Sequence, residues 1–169
     1  HRVDRRQRQM CIRDRLNPLW WYDSDADPDV RMSGAIRDRL IPEAAMDADA
    51  IWIVVRRRIL WLLYEWSEFV SEATRPIAYA LLVQLLKQAP GYTDATIQLL
   101  AARSLAAIAD TVDFERRTFL PYLQDTVVGL AHMLQGGIEE PDSIRSITHA
   151  LCVIMDRADT DMVPYGPAL

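Results

Sequence analysis

Four prolines recur through this sequence at intervals typical of a helical repeat. They lie in the tetrapeptides LIPE (40–43), TRPI (74–77), FLPY (119–122) and MVPY (162–165), and successive prolines are 34, 45 and 43 residues apart. Between them, apolar residues return every three or four positions, which predicts amphipathic helices, and no strand-like alternation is sustained. We expect each proline early in a helix or at its bend, because proline in a helix interior removes a hydrogen bond.

The helices between these prolines repeat as well. The recurring residues are 45 or 46 positions apart and form three sets: Leu60, Leu105 and Leu151; Leu63, Ile108 and Ile154; and Glu65, Asp110 and Asp156. A period in the forties with two antiparallel helices per unit is that of HEAT repeats, in which neighbouring helix pairs stack and bury one continuous core. The sequence therefore predicts an all-α fold: an armadillo-like HEAT-repeat α-solenoid of about three helix pairs, with the six leucines and isoleucines in its core.

Proline, glycine and polar breaks set the expected limits of the helices. Helices are predicted over residues 30–46, 48–69, 72–89, 94–112, 116–134 and 141–157, and another near Thr160. Asp47 or Asp49, Ser71, Thr93 and Asp113 are predicted N-caps. The repeat segment, 30–169, is divided into units 30–70, 71–112 and 113–158 and a truncated unit 159–169. Residues 16–29, which include WWYDSDADPD, are expected to be an acidic loop.

Residues 1–15, HRVDRRQRQMCIRDR, have six arginines and no apolar periodicity. Such a basic stretch is typical of a nucleic-acid-binding tail. However, MCIRDR (10–15) resembles the translation of the transposon end that is used in sequencing-library adapters. We interpret residues 1–15 as non-native, adapter-derived sequence and exclude them from the fold prediction.

The rest of the chain is acidic. Without residues 1–15, 13 of the 19 basic and 22 of the 24 acidic residues remain, so the formal net charge changes from −5 to −9. This balance argues against a nucleic-acid partner and favours a basic protein partner. The longest apolar runs, such as residues 59–64, are too short to span a bilayer, so no membrane insertion is expected.

The sequence lacks motifs for catalysis, metal binding or cofactor binding. It has no nucleophile elbow, phosphate-binding glycine loop or HExxH motif, and Cys11 and Cys152 lack the spacing of a zinc site or a disulfide framework. His132 and His149 are surrounded by core-type residues and are interpreted as interior or interface histidines, and Cys152 as a core residue. We therefore expect no enzymatic activity, no cofactor and no metal.

The arginine triplet in VVRRRILWLLYEW (54–66) has two interpretations. It is either a localisation signal that a partner reads or a part of the second helix of a HEAT unit, which lines the inner surface of a solenoid. We favour the second. Arg56 then shares a face with Leu60 and Leu63, and is expected to bond to carbonyls or a carboxylate of the adjacent repeat.

A neighbouring face of the same helix carries Arg57, Trp61 and Glu65, at i, i+4 and i+8. A stacked contact between Arg57 and Trp61 and a weak ion pair are expected there. If this face is open, it is a stripe for a protein partner, because Trp and Arg anchor interfaces. The candidate protein-binding or inter-repeat residues are Arg56, Arg57, Arg58, Trp61, Glu65, Arg103, Asp110 and Asp156.

Several segments resemble the karyopherin-β family of nuclear transport receptors, in order from about Arg39 onward. These are RLIPEA (39–44), RRRILWLLYEW (56–66), TRPIAYALLVQLL (74–86), AARSLAAIADTVDFERRTFLPYL (101–123), HALCVIMDRA (149–158) and VPY (163–165). The most specific parts are the arginine triplet before ILWLL and the junction D-F-x(4)-FLPYL at 113–123. The resemblance is to interior repeats of such a receptor.

The resemblance implies a receptor that binds protein cargo on the concave side of a superhelix and shuttles between nucleus and cytoplasm through the nuclear pore. In that family, Ran in its GTP form releases import cargo, and phenylalanine-glycine (FG) nucleoporins dock between outer helices. The family's principal Ran-binding surface begins in N-terminal repeats, so no residue here is assigned to Ran or to cargo. The alternative is a HEAT-repeat scaffold without a nucleotide-controlled cycle. A nucleic-acid-binding repeat protein is a weaker alternative, since it would need a basic stripe.

Overall fold

The computed structural model describes residues 28–46, 50–87, 94–136 and 138–168, and in these residues it contains helices and no strands. The helices are α1 (Pro28–Ala35), α2 (Ile41–Ala45), α3 (Ala50–Glu65), α4 (Arg75–Leu86), α5 (Ala95–Ala109), α6 (Arg116–Gln135) and α7 (Pro141–Ala158). A π-helical turn (Ile36–Leu40) joins α1 to α2, and 3₁₀ segments follow α3 (Ser67–Phe69) and α7 (Asp159–Ala168). Residues 1–15 and 16–27 of the predicted tail and loop lie outside the described residues, and so do Asp47 and Asp49, the alternative N-caps predicted before α3.

Pro42 accounts for the π-helical turn. Proline has no N–H to bond to the carbonyl four residues earlier, and its ring crowds that carbonyl. The turn before it is widened, so that the N–H of Ile41 bonds to the carbonyl of Ile36, five residues back. Pro42 also lies in the first turn of α2, which agrees with the prediction of a proline early in a helix. Pro76 lies in the first turn of α4, and Pro121 lies inside α6.

The helices pack as three successive pairs in two layers. The first layer contains α2, α4 and α6, and the second contains α3, α5 and α7. Within each layer neighbouring helices are in contact, and each first helix also contacts the second helix of its own pair. This is the arrangement of a helical-repeat solenoid, in which each unit buries its apolar face against the next. The predicted all-α repeat fold is confirmed.

A continuous core runs between the layers. Five of the six residues predicted to form it are fully buried, namely Leu60, Leu63, Leu105, Ile108 and Ile154. The sixth, Leu151, is only partly buried and packs against the edge of this core. Its neighbour Ala150 has the buried position on α7.

Aromatic side chains fill the first layer. Tyr79 of α4 packs edge-on against Phe119 of α6 with ring centroids 5.0 Å apart, and the Tyr122 ring is tilted against it at 5.7 Å. The Tyr79 side chain is fully buried, and its hydroxyl has no hydrogen-bond partner among the described residues. Burial disfavours the charged phenolate and raises the pKa of Tyr79 to about 12.

Two arginines close helix pairs. Arg75, the first residue of α4, is only 3% exposed. It donates to the carbonyl of Asp113 and, at 3.2 Å, to the hydroxyl of Thr111, in the turn that follows the second helix of its own pair. Arg116, the first residue of α6, makes the equivalent connection to Asp161 after α7. In both pairs an arginine at the start of the first helix holds the turn that ends the second.

Several predicted details at the helix ends are wrong. α4 begins at Arg75, three residues later than predicted, with Thr74 as its N-cap instead of Ser71. The N-cap position of α6 is Glu115 and not the predicted Asp113. The segment expected to be a helix near Thr160 is a 3₁₀ segment, because the chain leaves α7 through Asp159 at a φ of 50°. At the other end, α1 already begins at Pro28, since proline suits the first helical turn.

Candidate protein-binding face of the second helices

The three arginines at 56–58 have three different environments. Arg56 donates from Nε to the carbonyl of Ala44 at 2.9 Å and from its terminal nitrogen to the carbonyl of Met46. These are carbonyls at the C-terminal end of the first helix in the same pair, where a helix leaves acceptors unsatisfied. The acceptors are carbonyls, as predicted, but they belong to the same helix pair and not to the adjacent repeat. Arg56 is therefore a connection within its own helix pair.

Arg57 connects two helix pairs. Its guanidinium pairs with Asp94, with Nε 3.0 Å from Oδ2. The other oxygen of Asp94 accepts the backbone N–H groups of Thr96 and Ile97, so this carboxylate is also the N-cap of α5. A carboxylate at a helix N-terminus is favoured by the helix dipole as well. The predicted N-cap of this helix was Thr93, which lies outside the described residues, although an Asp directly before an apolar-periodic run is itself an N-cap signal.

The arginine that stacks on Trp61 is Arg58, not Arg57. The Arg58 guanidinium carbon lies 4.1 Å from the centre of the Trp61 ring. Both spacings, i+3 and i+4, bring helical side chains together, and Arg57 is drawn away by Asp94. Glu65, at the end of α3, is half-buried.

A cleft opens where the three second helices meet, and we call it the α5 cleft. It has a volume of about 300 Å³. Its main lining residues are Tyr64 of α3, Arg103 and Ala106 of α5, Asp110 directly after α5, and Arg145 and His149 of α7. Ala106 and the adjacent Ala107 are buried, and their small side chains leave the space that the cleft occupies.

Arg103 stands over the aromatic wall of the α5 cleft. Its guanidinium carbon is 4.8 Å from the centre of the Tyr64 ring, which is within cation–π range. No carboxylate of the described residues is within ion-pair distance of Arg103. Across the cleft, Arg145 pairs with Asp142, one turn earlier on α7, at 3.2 Å, and both side chains are largely exposed.

Asp110 is the acidic residue of this cleft, and it is already paired. Arg157 of α7 donates to its carboxylate at 3.0 Å and to its backbone carbonyl at 3.1 Å. Asp110 thus joins the second and third helix pairs, which is the inter-repeat role expected of it. Asp156, predicted as its equivalent in the third unit, is exposed and does not line the cleft.

An interior position for His149 and His132, and a core position for Cys152, are contradicted by the structure. His149 and His132 are both exposed, and so is Cys152. Each lies near apolar residues in the sequence but on a side of its helix that is open to solvent, and for His149 this side borders the α5 cleft. Cys11 lies outside the described residues. Within the part of the chain that the structure describes, no three histidine, cysteine or acidic side chains are placed to hold a metal ion. In the same part, no helix is long and apolar enough to cross a membrane.

Comparison with known proteins identifies two that are similar to this chain. Importin-11 of Mus musculus and importin-11 of Homo sapiens are each 28% identical to this chain over 131 residues. The chain is thus distantly similar to importin-11. The match covers 76% of this chain but only 13% of each importin-11, and it confirms the resemblance to karyopherin-β receptors at a distant level. No family model matches the chain, and no solved structure matches it.

Proposed function

We propose that this chain is a segment of an importin-β-type nuclear transport receptor that binds protein cargo. The receptor would shuttle between nucleus and cytoplasm, dock at FG nucleoporins in the nuclear pore, and be controlled by Ran in its GTP form. The observation that carries the proposal is the similarity to importin-11 over 76% of the chain. The stacked helix pairs support it, since they are the architecture that such a receptor requires.

The stacking also supports a mechanism. Each helix pair contacts only its neighbours, so small rotations at successive interfaces add up to a changed superhelical pitch. A ligand that prefers one pitch lowers the affinity for a ligand that prefers another. In this segment the contacts that such a rotation would strain are the inter-pair ion pairs Arg57–Asp94 and Asp110–Arg157. Both are partly exposed and are therefore inexpensive to rearrange.

The test uses the whole protein encoded by the reading frame that contains residues 16–169. Amplification of the transcript across both ends of this frame provides the coding sequence. The expressed protein is immobilised, loaded with cytosolic proteins and eluted with Ran bound either to a non-hydrolysable GTP analogue or to GDP. The eluted proteins are quantified by mass spectrometry. We expect a set of proteins that Ran in the GTP form releases and Ran in the GDP form does not.

The GDP form of Ran is the matched control, because it differs only in nucleotide state. If both forms leave the same proteins on the column, there is no nucleotide-controlled release, and the transport proposal is rejected. The same proteins retained under both conditions would then be the partners of a HEAT-repeat scaffold.

A further inference from the structure

We propose that the α5 cleft binds an acidic segment of a protein partner. The chain as a whole has a formal charge of −5, which favours basic partners. The cleft has the opposite sign. This inference deepens the proposed function, because it assigns a partner chemistry to one site on the second-helix layer. It rests on the proposed function in so far as the partner is cargo.

The charge of the α5 cleft comes from side chains that internal contacts leave available. Arg103 is held over Tyr64 by a ring contact, and this contact leaves its five N–H donors available to a ligand. Arg145 has a single exposed partner one turn away, and such a pair is worth little in water. The one carboxylate in the lining, Asp110, is neutralised by Arg157. The cleft is therefore cationic, because its lining holds two arginines, Arg103 and Arg145, against one carboxylate.

The shape of the α5 cleft fits a side chain rather than a folded element. A volume of about 300 Å³ is at the lower limit of binding pockets. Its base is apolar, with Ala106 and Ala107, and its wall is the Tyr64 ring. A carboxylate between Arg103 and Arg145 would receive charge-assisted hydrogen bonds, and a neighbouring apolar group would cover the alanines. A peptide with Glu or Asp next to a leucine meets both requirements.

The register of the repeat places a further arginine, Arg58, in line with the α5 cleft. Arg58, Arg103 and His149 are 45 and 46 residues apart, the same intervals that relate Leu60, Leu105 and Leu151. Equivalent positions on stacked helices form a row across the layer. Neighbouring helices are about 8–10 Å apart, so the row is about 16–20 Å long and matches about six residues of extended peptide. The partner segment would thus cross the second helices instead of following one of them.

The experiment measures peptide binding by fluorescence anisotropy with the 169-residue chain. The probe is a fluorescein-labelled peptide of about ten residues made of Glu, Leu and Gly, and its comparison peptides replace Glu by Gln or by Lys. The variant is Arg103→Glu, with Arg103→Gln as the milder change. Arg117→Glu is the matched control, because Arg117 is exposed on α6 in the other layer and the change in charge is the same. Circular dichroism establishes that each variant is folded.

We expect the Glu peptide to bind at least about tenfold more tightly than the Gln peptide, and the preference to fall as salt is added. Arg103→Glu should lose this preference, Arg103→Gln should reduce it, and Arg117→Glu should keep it. Equal binding of the three peptides, or an unchanged preference in folded Arg103→Glu, overturns the inference. So does tighter binding of a single-stranded oligonucleotide that is lost in the same variant, since the cleft would then recognise phosphate. Ran is absent from this assay, so its outcome is independent of the test of transport.

Discussion

Leu105 is the residue whose truncation tests the repeat register most directly. Its side chain is fully buried on α5, the helix that contacts α3, α4 and α7. Leu105→Ala removes three carbon atoms, and at about 0.8 kcal/mol each their lost burial costs about 2.4 kcal/mol. The cavity adds to this cost where neighbours cannot move in. The flanking residues Ala101, Ala102 and Ala109 are small and buried, so nearby helices are already close and relaxation is limited. We expect a total of about 3–5 kcal/mol.

Leu151→Ala is the matched control for this prediction. The sequence aligns Leu151 with Leu105, but the structure leaves it partly exposed at the edge of the core. It should therefore lose only about 1 kcal/mol. Urea unfolding followed by circular dichroism gives both values, provided that the slopes against urea agree with that of the unmodified chain. Equal losses in the two variants, or a loss below about 1 kcal/mol for Leu105→Ala, would contradict the register.

Three further substitutions test individual contacts. A Cβ added at Gly129 would lie 3.1 Å from Cβ of Leu86, so Gly129→Ala should lower the free energy of unfolding in urea by about 1–3 kcal/mol. Gly34→Ala, in open space on α1, should raise it by about 0.5–1 kcal/mol. A gain at both sites would refute the close approach of α4 and α6. Tyr79→Phe removes a buried hydroxyl without a partner among the described residues, so it should be neutral or stabilising at pH 7. Because the pKa of Tyr79 is about 12 in the folded chain and about 10 in the unfolded chain, the free energy of unfolding should fall by up to about 2–3 kcal/mol between pH 10 and 12. Tyr79→Phe should not show this fall, and parallel pH profiles of the two proteins would show that Tyr79 is not its cause. Asp94→Ala removes both an N-cap and an ion pair and should lower the free energy of unfolding by about 1–2 kcal/mol, whereas Asp94→Asn keeps a capping oxygen and should lower it less. Equal shifts of the thermal midpoint in the two variants would exclude a capping role.

The repeat architecture was predictable because it depends on spacing alone. The intervals between prolines and between core leucines set the number of helix pairs and the side of each helix that is buried. Leu60, Leu105 and Ile154 are buried for this reason. The helix ends were less predictable, since capping depends on a few backbone angles. The positive φ of Asp159, which redirects the chain after α7, has no counterpart in the hydrophobic pattern.

The candidate site was predictable in its residue types but not in its pairings. The triplet at 56–58 was correctly placed on a second helix, yet which arginine stacks on Trp61 depends on what attracts the others. The contact between Arg103 and Tyr64 crosses two helices, so it depends on their relative height, which no local pattern encodes. The exposure of His149 depends likewise on which side of α7 faces α5 and α6. These are properties of packing between helices.

The two arginine closures respond differently to salt. Arg75 is buried and donates to a carbonyl and a hydroxyl, neither of which carries a charge that ions could screen. Arg116 is partly exposed and holds a carboxylate, Asp161, whose attraction weakens when the Debye length falls from about 10 Å at 0.1 M to about 3 Å at 1 M salt. Concentrated salt should therefore loosen the third helix pair while the second stays closed. Hydrogen exchange should become faster after α7 and not after α5, and the chain would open from one end rather than all at once.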